Sequence, residues 1–451
     1  MHSGVRHFPR KWLRNRSARP DGSKHQQNAG SPSSQSTKIH LDGQARLLLT
    51  VQGLCTAANA LSGTFVNVYL WKARQDFLVI GWFTLVHHIA MALTFWLAGK
   101  WVKEHNKMNC LRTGVAVSAA FYILVLWFGP RAADYYLLLG AIQGMATGFF
   151  WVSFNVVYFE VTNPATRDRF NGWAGLLGSA AGMIAPWISG FLIVHMMPTI
   201  GYRVIFTISL VVFLIGVVVS FFLKKRKTVG HYDWLLPWRC LRQKNPGWRT
   251  VTAALAAQGI REGVFGFMIA LLVYVHTGSE MSLGNFSLVT SAVALFSFLL
   301  IGHFLKPRHR RTSMLIGAVM IIVVLLPFFW QVNFTTLLIF GVGVGLFYPL
   351  FSIPMTSSVF DLIGRHEDSV KRREEYIVLR ELALNVGRIV GTAAFIMVVS
   401  LTSAPLVMNL LLLVIGSSPL LAWFFMRRVH LHAGGDDREH SRARVKQPTI
   451  T

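Results

Sequence analysis

The sequence predicts an all-α membrane protein of twelve transmembrane helices, arranged as two pseudo-symmetric six-helix bundles. Three observations carry this. Of 451 residues, 53% are hydrophobic and only 14% are charged, with a mean hydropathy of +0.47; soluble chains carry about a quarter charged residues. The apolar residues come in runs near the roughly 20 needed to cross a bilayer, without the period-2 alternation of an outer-membrane barrel. Segments of the second half also repeat segments of the first, in order.

Spans are predicted at 45–71, 78–98, 112–129, 134–158, 172–196, 203–223, 251–276, 283–304, 312–330, 334–359, 379–402 and 405–426. Lys and Arg set their orientation. One side carries Lys72, Arg74, Arg131 and Arg203; the other carries 23 basic residues before the tails are added. The basic side, with both termini, is therefore predicted to be cytoplasmic. The chain divides into a basic tail (1–43), a bundle (44–223), a linker (224–250), a second bundle (251–426) and a second basic tail (427–451). The first tail has only Asp21 and Asp42 as acids and few apolar residues. A transit peptide shares that composition, but no amphipathic face is evident, and both tails read as disordered. The linker KKRKTVGHYDWLLPWRCLRQKNPGWRT (224–250) has an amphipathic patch whose Trp and Leu residues suit the headgroup level.

The net charge of +25 does not mark a nucleic-acid binder, because the bases sit in loops and tails and not on one face. Cys55 falls in a span, while Cys110 and Cys240 fall in predicted loops, and no disulfide or metal spacing is visible. No phosphate-binding glycine loop appears, which disfavours ATP-driven pumping. No nucleophile–base constellation suggests an enzyme. No cofactor or metal is expected.

Gln52-Gly53 opens the first span and Gln258-Gly259 the seventh. NVYL (67–70) parallels LVYV (272–275), LAGKWVK (97–103) parallels LIGHFLK (300–306), and TGFFW (147–151) parallels VGLFY (344–348). The offsets fall from 206 through 203 to 197 residues, as a duplicated six-span unit requires. Both copies start on the same side, so the repeat is parallel. In this the chain resembles the major facilitator superfamily, over about 45–426. After the second span, Gly99 stands at the family's glycine, but Lys103 occupies its acidic position. In the fourth span, Gln143-Gly144 match an Arg-x-x-Gln-Gly pattern in which Gly140 replaces the arginine. The fifth span, GLLGSAAGMIAPWISG, is similar to the antiporter signature, with Pro186 and Gly190 kept and Ala185 in a usual glycine place. YIVLRELALNVGRIVG (376–391) resembles uncharacterised permeases of Gram-positive bacteria. The resemblance implies alternating access, with the first, fourth, seventh and tenth helices lining a central cavity. It also implies gate or loop roles for Gly99, Lys103, Pro186 and Gly190.

Polar residues concentrate on those helices. Gln52, Thr56, Asn59 and Ser62 form one stripe; Gln143, Thr147, Trp151 and Asn155 form another; Tyr348, Ser352 and Thr356 a third. They read as cavity lining or as hydrogen bonds between packed helices. Trp151, Phe149, Phe150 and Tyr348 would give aromatic walls suited to an amphipathic or drug-like solute. The third, sixth, ninth and twelfth spans are so apolar that they read as able to face lipid all round. Gly140, Gly144 and Gly148, like Gly178, Gly182, Pro186 and Gly190, are spaced for close helix approach.

The sharpest signal is AAQGIREGVFGF (256–267). Arg261 lies twelve residues beyond Arg249, about 18 Å along a helix and so near mid-membrane. A charge there costs about 2.5–3.5 kcal/mol on insertion scales, which marks a functional position. Neighbours on a helix diverge by about 100°, so Arg261 and Glu262 need other partners. The eleventh span offers Glu381, Asn385 and Arg388 on one stripe, beside Arg380. Glu262 is a candidate proton-carrying carboxylate, and Arg261 its counter-charge or an anchor for an anionic substrate group. The alternatives are a static network tying the seventh helix to the eleventh, or a gate latch at Arg380, Glu381 and Arg388. His88, next to His87, is a candidate proton relay or an interhelical hydrogen bonder.

The resulting expectation is a secondary transporter in the cytoplasmic membrane. It moves a small solute by alternating access with proton coupling and leans to export, through the fifth-span signature. Uptake by symport or facilitation, or a non-transporting sensor with the same fold, are the alternatives. The expected partners are a small solute, protons and the lipid bilayer, with no nucleic acid, in a monomer.

Overall fold

The computed structural model describes residues 41–162, 164–224, 230–242, 246–364, 372–402 and 404–427. The tails before residue 41 and after 427 lie outside them. Among the described residues the chain is helical throughout. The main helices are α1 Gly43–Arg74, α2 Phe77–Glu104, α3 Lys107–Phe128, α4 Tyr136–Val161, α5 Pro164–His195 and α6 Pro198–Ser220. After a short linker helix, Leu236–Arg242, come α7 Pro246–Thr277, α8 Glu280–Phe304, α9 Arg310–Val323, α10 Phe334–Gly364, α11 Arg373–Leu401 and α12 Pro405–Gly416. Helix resumes after a turn at Ser417 and runs to Arg427. Among the described residues ten segments are long and apolar enough to cross a membrane, one of which, Lys107–Val161, contains both α3 and α4. Helix α1 is not among the ten; Gln52, Asn59 and Asn67 dilute its hydropathy.

Short polar caps set the helix starts. Asp42, Asp76, Asn106 and Ser279 each accept a backbone N–H from the first turn of α1, α2, α3 and α8. Several helices outrun their apolar segments. Helix α5 starts at Pro164 against the predicted 172, and α11 at Arg373 against 379. Hydropathy marks what suits lipid, and a helix continues through polar turns beyond it.

Helices α2 and α4 pack closely, as do α3 with α4 and α6, and α1 with α5 and α6. In the second half α7 packs on α11, and α10 on α8 and α9. The halves meet where α5 packs on α8 and α2 on α11. Small residues permit this. A Cβ on Gly148 would come within 2.7 Å of Thr94, and Gly140 and Gly144 are tighter still against the α2 backbone. On the α7–α11 contact, a Cβ on Gly263 would lie 2.7 Å from Arg388 Cα. Gly190 is equally close to α8, 2.5 Å from the Glu280 carbonyl, but Gly178 has open space around it. The predicted small-residue run on α5 therefore acts at its later members only.

Two expectations need correction. The most apolar helices do not face lipid all round. Helix α3 buries Val115, Ala119 and Tyr122, and Ser62 of α1 donates to the Tyr122 hydroxyl at 2.5 Å. Ser209 of α6 donates to the Ala58 carbonyl, and Ser313 of α9 to the Leu350 carbonyl. Apolar composition cannot tell a packed face from a lipid face when both want the same residues. Cys110 lies in the first turn of α3 and Cys240 in the linker helix, not in loops; both, like Cys55, are free and buried.

Candidate functional site

Helix α7 carries its polar residues on the side that meets α11. Glu262 receives two hydrogen bonds from Arg388, Nη2 to Oε2 at 2.7 Å and Nε to Oε2 at 3.2 Å. Gln258 Nε2 donates to its other oxygen at 2.7 Å, and the Tyr348 hydroxyl lies 3.3 Å from the same atom. Arg388 also approaches Glu381 at 3.9 Å and Asn385 Oδ1 at 3.3 Å. Glu381 is paired with Arg380, whose guanidinium lies 5.7 Å from the Phe360 ring centroid. Asn385 donates to the Glu381 carbonyl at 2.9 Å. The stripe read from the sequence thus forms one connected cluster. It lies wholly on helices after the linker.

Arg261 is the exception. It is only 7% exposed, and among the described residues no carboxylate lies within ion-pair distance of it. Its Nε is buried without a hydrogen-bond partner. The guanidinium sits between two rings, 4.9 Å from the Phe265 centroid and 5.3 Å from that of Tyr348. Such stacking offsets part of the desolvation cost of the cation. His87 and His88 of α2 lie side by side with ring centroids 5.2 Å apart, near Arg388, and His88 faces the Gly263 backbone.

The predicted lining residues divide among three cavities. Arg261, Glu262 and Tyr348 line one of about 440 Å³ between α7, α8 and α10. Asn59, Gln143 and Trp151 line another of about 430 Å³ between α1, α3, α4 and α6. Gln52 and Asn155 line a third of about 490 Å³ that includes Arg310, Asp361 and Phe360. Ser352 and Asn385 are not among the lining residues of these three. The first two cavities follow the repeat. At the offset of 206, Arg261, Glu262 and Phe265 correspond to Cys55, Thr56 and Asn59. At the offset of 197, Phe340, Val344 and Tyr348 correspond to Gln143, Thr147 and Trp151. The duplication kept the cavity wall and charged only one copy of it.

Charge also joins the halves at both ends of the molecule. At one end Lys103 of α2 is buried and reaches Glu375 of α11 at 2.5 Å and Glu374 at 4.0 Å. Glu160 of α4 pairs with Lys107 and lies 3.8 Å from Arg373 of α11. The lysine at the motif's acidic position therefore keeps a cross-half contact with its polarity reversed. The linker straps this end. Tyr232 is 1% exposed, donates its N–H to Glu104 at 2.9 Å, and fits against Gly99, where a Cβ would lie 2.6 Å from its hydroxyl. Burial, with Glu375 and Asp233 nearby, pushes the Tyr232 phenol up, so it stays neutral. The linker expected at the headgroup level is thus half inside the protein, with Leu235 and Trp238 left outward. At the opposite end, Lys72 of α1 pairs with buried Glu280 of α8 at 2.8 Å, and the Tyr202 hydroxyl donates to the same carboxylate at 3.0 Å. Pro186 and Gly190 sit along this α5–α8 contact, where the Pro186 carbonyl would lie 3.0 Å from a Cβ on Gly284.

Sequence reasoning missed Glu280, Glu374, Glu375, Glu160 and Tyr232. A signal was present: with 19 acidic residues in the chain, each one at the end of an apolar run invites a search for its cation.

A repeated helical wall around paired cavities, in a chain with ten segments apolar enough to span among the described residues, is the arrangement of a multi-pass membrane transporter. The chain belongs to the Major Facilitator Superfamily, which matches residues 48–369. It is 40% identical over 407 residues to the uncharacterised Bacillus subtilis protein YqgE, covering 89% of this chain and 94% of that one. Its fold is also that of a bacterial homologue of the iron transporter ferroportin. The outward-facing crystal structure of that homologue gives a TM-score of 0.62 at 16% identity, over 86% of this chain and 99% of the other. The inward-facing one gives 0.61 at 18% identity, over 86% and 98%.

Proposed function

We propose that the chain is a secondary transporter that moves a small amphipathic solute across the cell membrane by alternating access, with protons as the coupling ion. The observation that carries this reading is the aromatic cavity of about 440 Å³ with Glu262 and Arg261 in its wall, midway along α7. The repeat supports two six-helix bundles with twelve spans, and the basic loops support cytoplasmic termini; the protein is taken to act as a monomer. Glu262 is the coupling carboxylate. While charged it holds Arg388; once protonated it would release that arginine to Glu381 and Asn385. The groups that bias this exchange are Arg261, Arg380, Arg388, Glu381, Tyr348, His87 and His88. The ion pairs at the two ends, both formed in this structure, act as gates, and opening either side breaks the pair at that end. Export is favoured by the α5 segment around Pro186 and Gly190. An unpaired cation in the cavity opposes a metal cation such as the iron that ferroportin transports, and the rings of the wall favour an organic cargo.

Proteoliposomes with a trapped pH dye test this. Solute addition from a panel should move protons, and Glu262→Gln should abolish that movement while leaving solute exchange. Intact proton movement in Glu262→Gln would remove the coupling role from Glu262. The sign gives the direction: antiport alkalinises the lumen as solute enters, and symport acidifies it.

A further inference from the structure

The charges around the middle of α7 do not balance. Among the described residues, Arg261, Arg380 and Arg388 face only Glu262 and Glu381. Glu262 is taken by Arg388, Gln258 and Tyr348, and Glu381 by Arg380. The surplus cation is Arg261, buried, with its Nε unpartnered, on the wall of the cavity. A permanently charged guanidinium in a span is tolerated where something else supplies the counter-charge. The rest of the wall supplies none. Thr290 spends its hydroxyl on the Phe286 carbonyl and Ser291 on the Gly182 carbonyl. What remains is apolar and flat: Phe265, Phe286, Phe340 and the Tyr348 ring. Gly266 opens onto the same space, with no atom within 4 Å of where its Cβ would stand. The equivalent cavity in the first half has Cys55 where this one has Arg261. The asymmetry is therefore local to one site and not a property of the repeat.

We infer that the cargo is an amphipathic organic anion, with a carboxylate or sulfonate held by Arg261 and a flat apolar body among the rings of α7, α8 and α10. This rests on the transport reading for its role as cargo, though not for its binding. The guanidinium fork matches a planar carboxylate bidentately, and the aromatic wall rewards a ring. In this scheme Arg261 holds substrate while Glu262 handles the proton, which is why adjacent residues carry opposite charges without pairing.

The test uses the full chain in detergent and a matched probe set: benzoate, phenylacetate, 2-naphthoate and 2-naphthalenesulfonate against their neutral amides. Thermal unfolding is followed by tryptophan fluorescence. The anions should raise the unfolding temperature in a saturable way and the amides should not. Arg261→Gln should remove the response, and Arg261→Lys should weaken the apparent affinity by roughly tenfold or more. Because Arg261→Gln can disturb folding, Gly266→Leu provides a second arm. It fills the cavity from a position with free space and leaves Arg261 intact, so it should fold and lose the anion response. Amides that work as well as the anions, an anion response that survives Gly266→Leu, or no response to any anion would each overturn the inference. Flux of 2-naphthoate into proteoliposomes is read in parallel. Saturable binding without flux removes the transport reading and keeps the anion site; flux of neutral solutes without anion binding does the reverse.

Discussion

Paired charge is wired differently at the ends of this molecule and in its middle. Lys103 with Glu375, and Lys72 with Glu280, join helices from opposite halves. Glu262 with Arg388 joins α7 to α11 within one half, across a contact so tight that Gly387 sits against the Ala256 carbonyl. A motion that separates the halves must break an end pair. It can leave the middle pair intact. The end pairs are thus placed to report conformation, and the middle cluster to respond to what enters the cavity. On the proposed reading, one geometry would serve gating and the other binding and proton handling.

The sharpest way to break this comparison is at Glu262. Glu262→Ala leaves Arg388 without its nearest acid, and removing one partner of a buried pair costs about 3–5 kcal/mol. The expected result is the largest loss of thermal stability among single charge removals. Arg388→Met added to Glu262→Ala should recover most of it, because a neutral packed pair replaces a lone charge. A double mutant no more stable than Glu262→Ala would mean that the pair contributes nothing as a pair.

At the end, Lys103→Met should cost somewhat less, about 3 kcal/mol, since Glu375 also accepts from the Asp233 N–H at 3.4 Å. Its signature should be conformational. With the pair gone, a cysteine placed at Phe360, opposite Phe159 across the halves at 6.0 Å between ring centroids, should label faster with a water-soluble maleimide. Adding Glu375→Gln should restore stability but not closure. Glu262→Ala should leave this labelling unchanged. If both variants open the end equally, the distinction between end and middle fails.

These two regions were unequally legible in the sequence. The middle cluster could be read because charge inside an apolar run is conspicuous, and because Glu381, Asn385 and Arg388 follow helical spacing. The end pairs were not, because Lys103, Glu280 and Glu375 stand where charge is ordinary, and an acid at the end of an apolar run does not name its partner 208 or more residues away. Lys103 stood out as a reversal of the motif's acidic position, but polarity within a motif is visible and the partner's matching change is not. The repeat was legible, and its offsets relate the walls of two cavities on α1 and α7 and on α4 and α10, a correspondence that the cavities themselves revealed. It did not give three separate cavities. Those depend on how deeply side chains such as Tyr122 and Phe213 fill the space behind α1.

A smaller effect tests the linker as part of the Lys103 end. Gly99→Ala would put a methyl carbon 2.9 Å from Tyr232 Cζ, and such overpacking costs about 1–3 kcal/mol. Trp234 stacks edge-on against Tyr232 at 5.1 Å and Trp96 at 5.2 Å, so indole fluorescence should change as the strap shifts. Tyr232→Ala combined with Gly99→Ala should behave like Tyr232→Ala alone. Additive losses would place the cost of Gly99→Ala elsewhere.

The least effect is expected where charge is paired but not buried. Arg74 and Asp134 form an ion pair between α1 and the turn before α4, with side chains 55% and 47% exposed. Both lie in the first half, so the pair neither spans the halves nor escapes solvent. Exposed pairs are worth about 0–1 kcal/mol and are screened by salt. Arg74→Ala should therefore shift thermal unfolding by less than any variant above, should leave the Phe360 labelling rate unchanged, and should lose its small effect in high salt. A loss comparable to Lys103→Met would show that proximity to the Lys72–Glu280 pair, two residues away on α1, matters more than burial. The division between end and middle would then have to be redrawn around the whole Lys72 end.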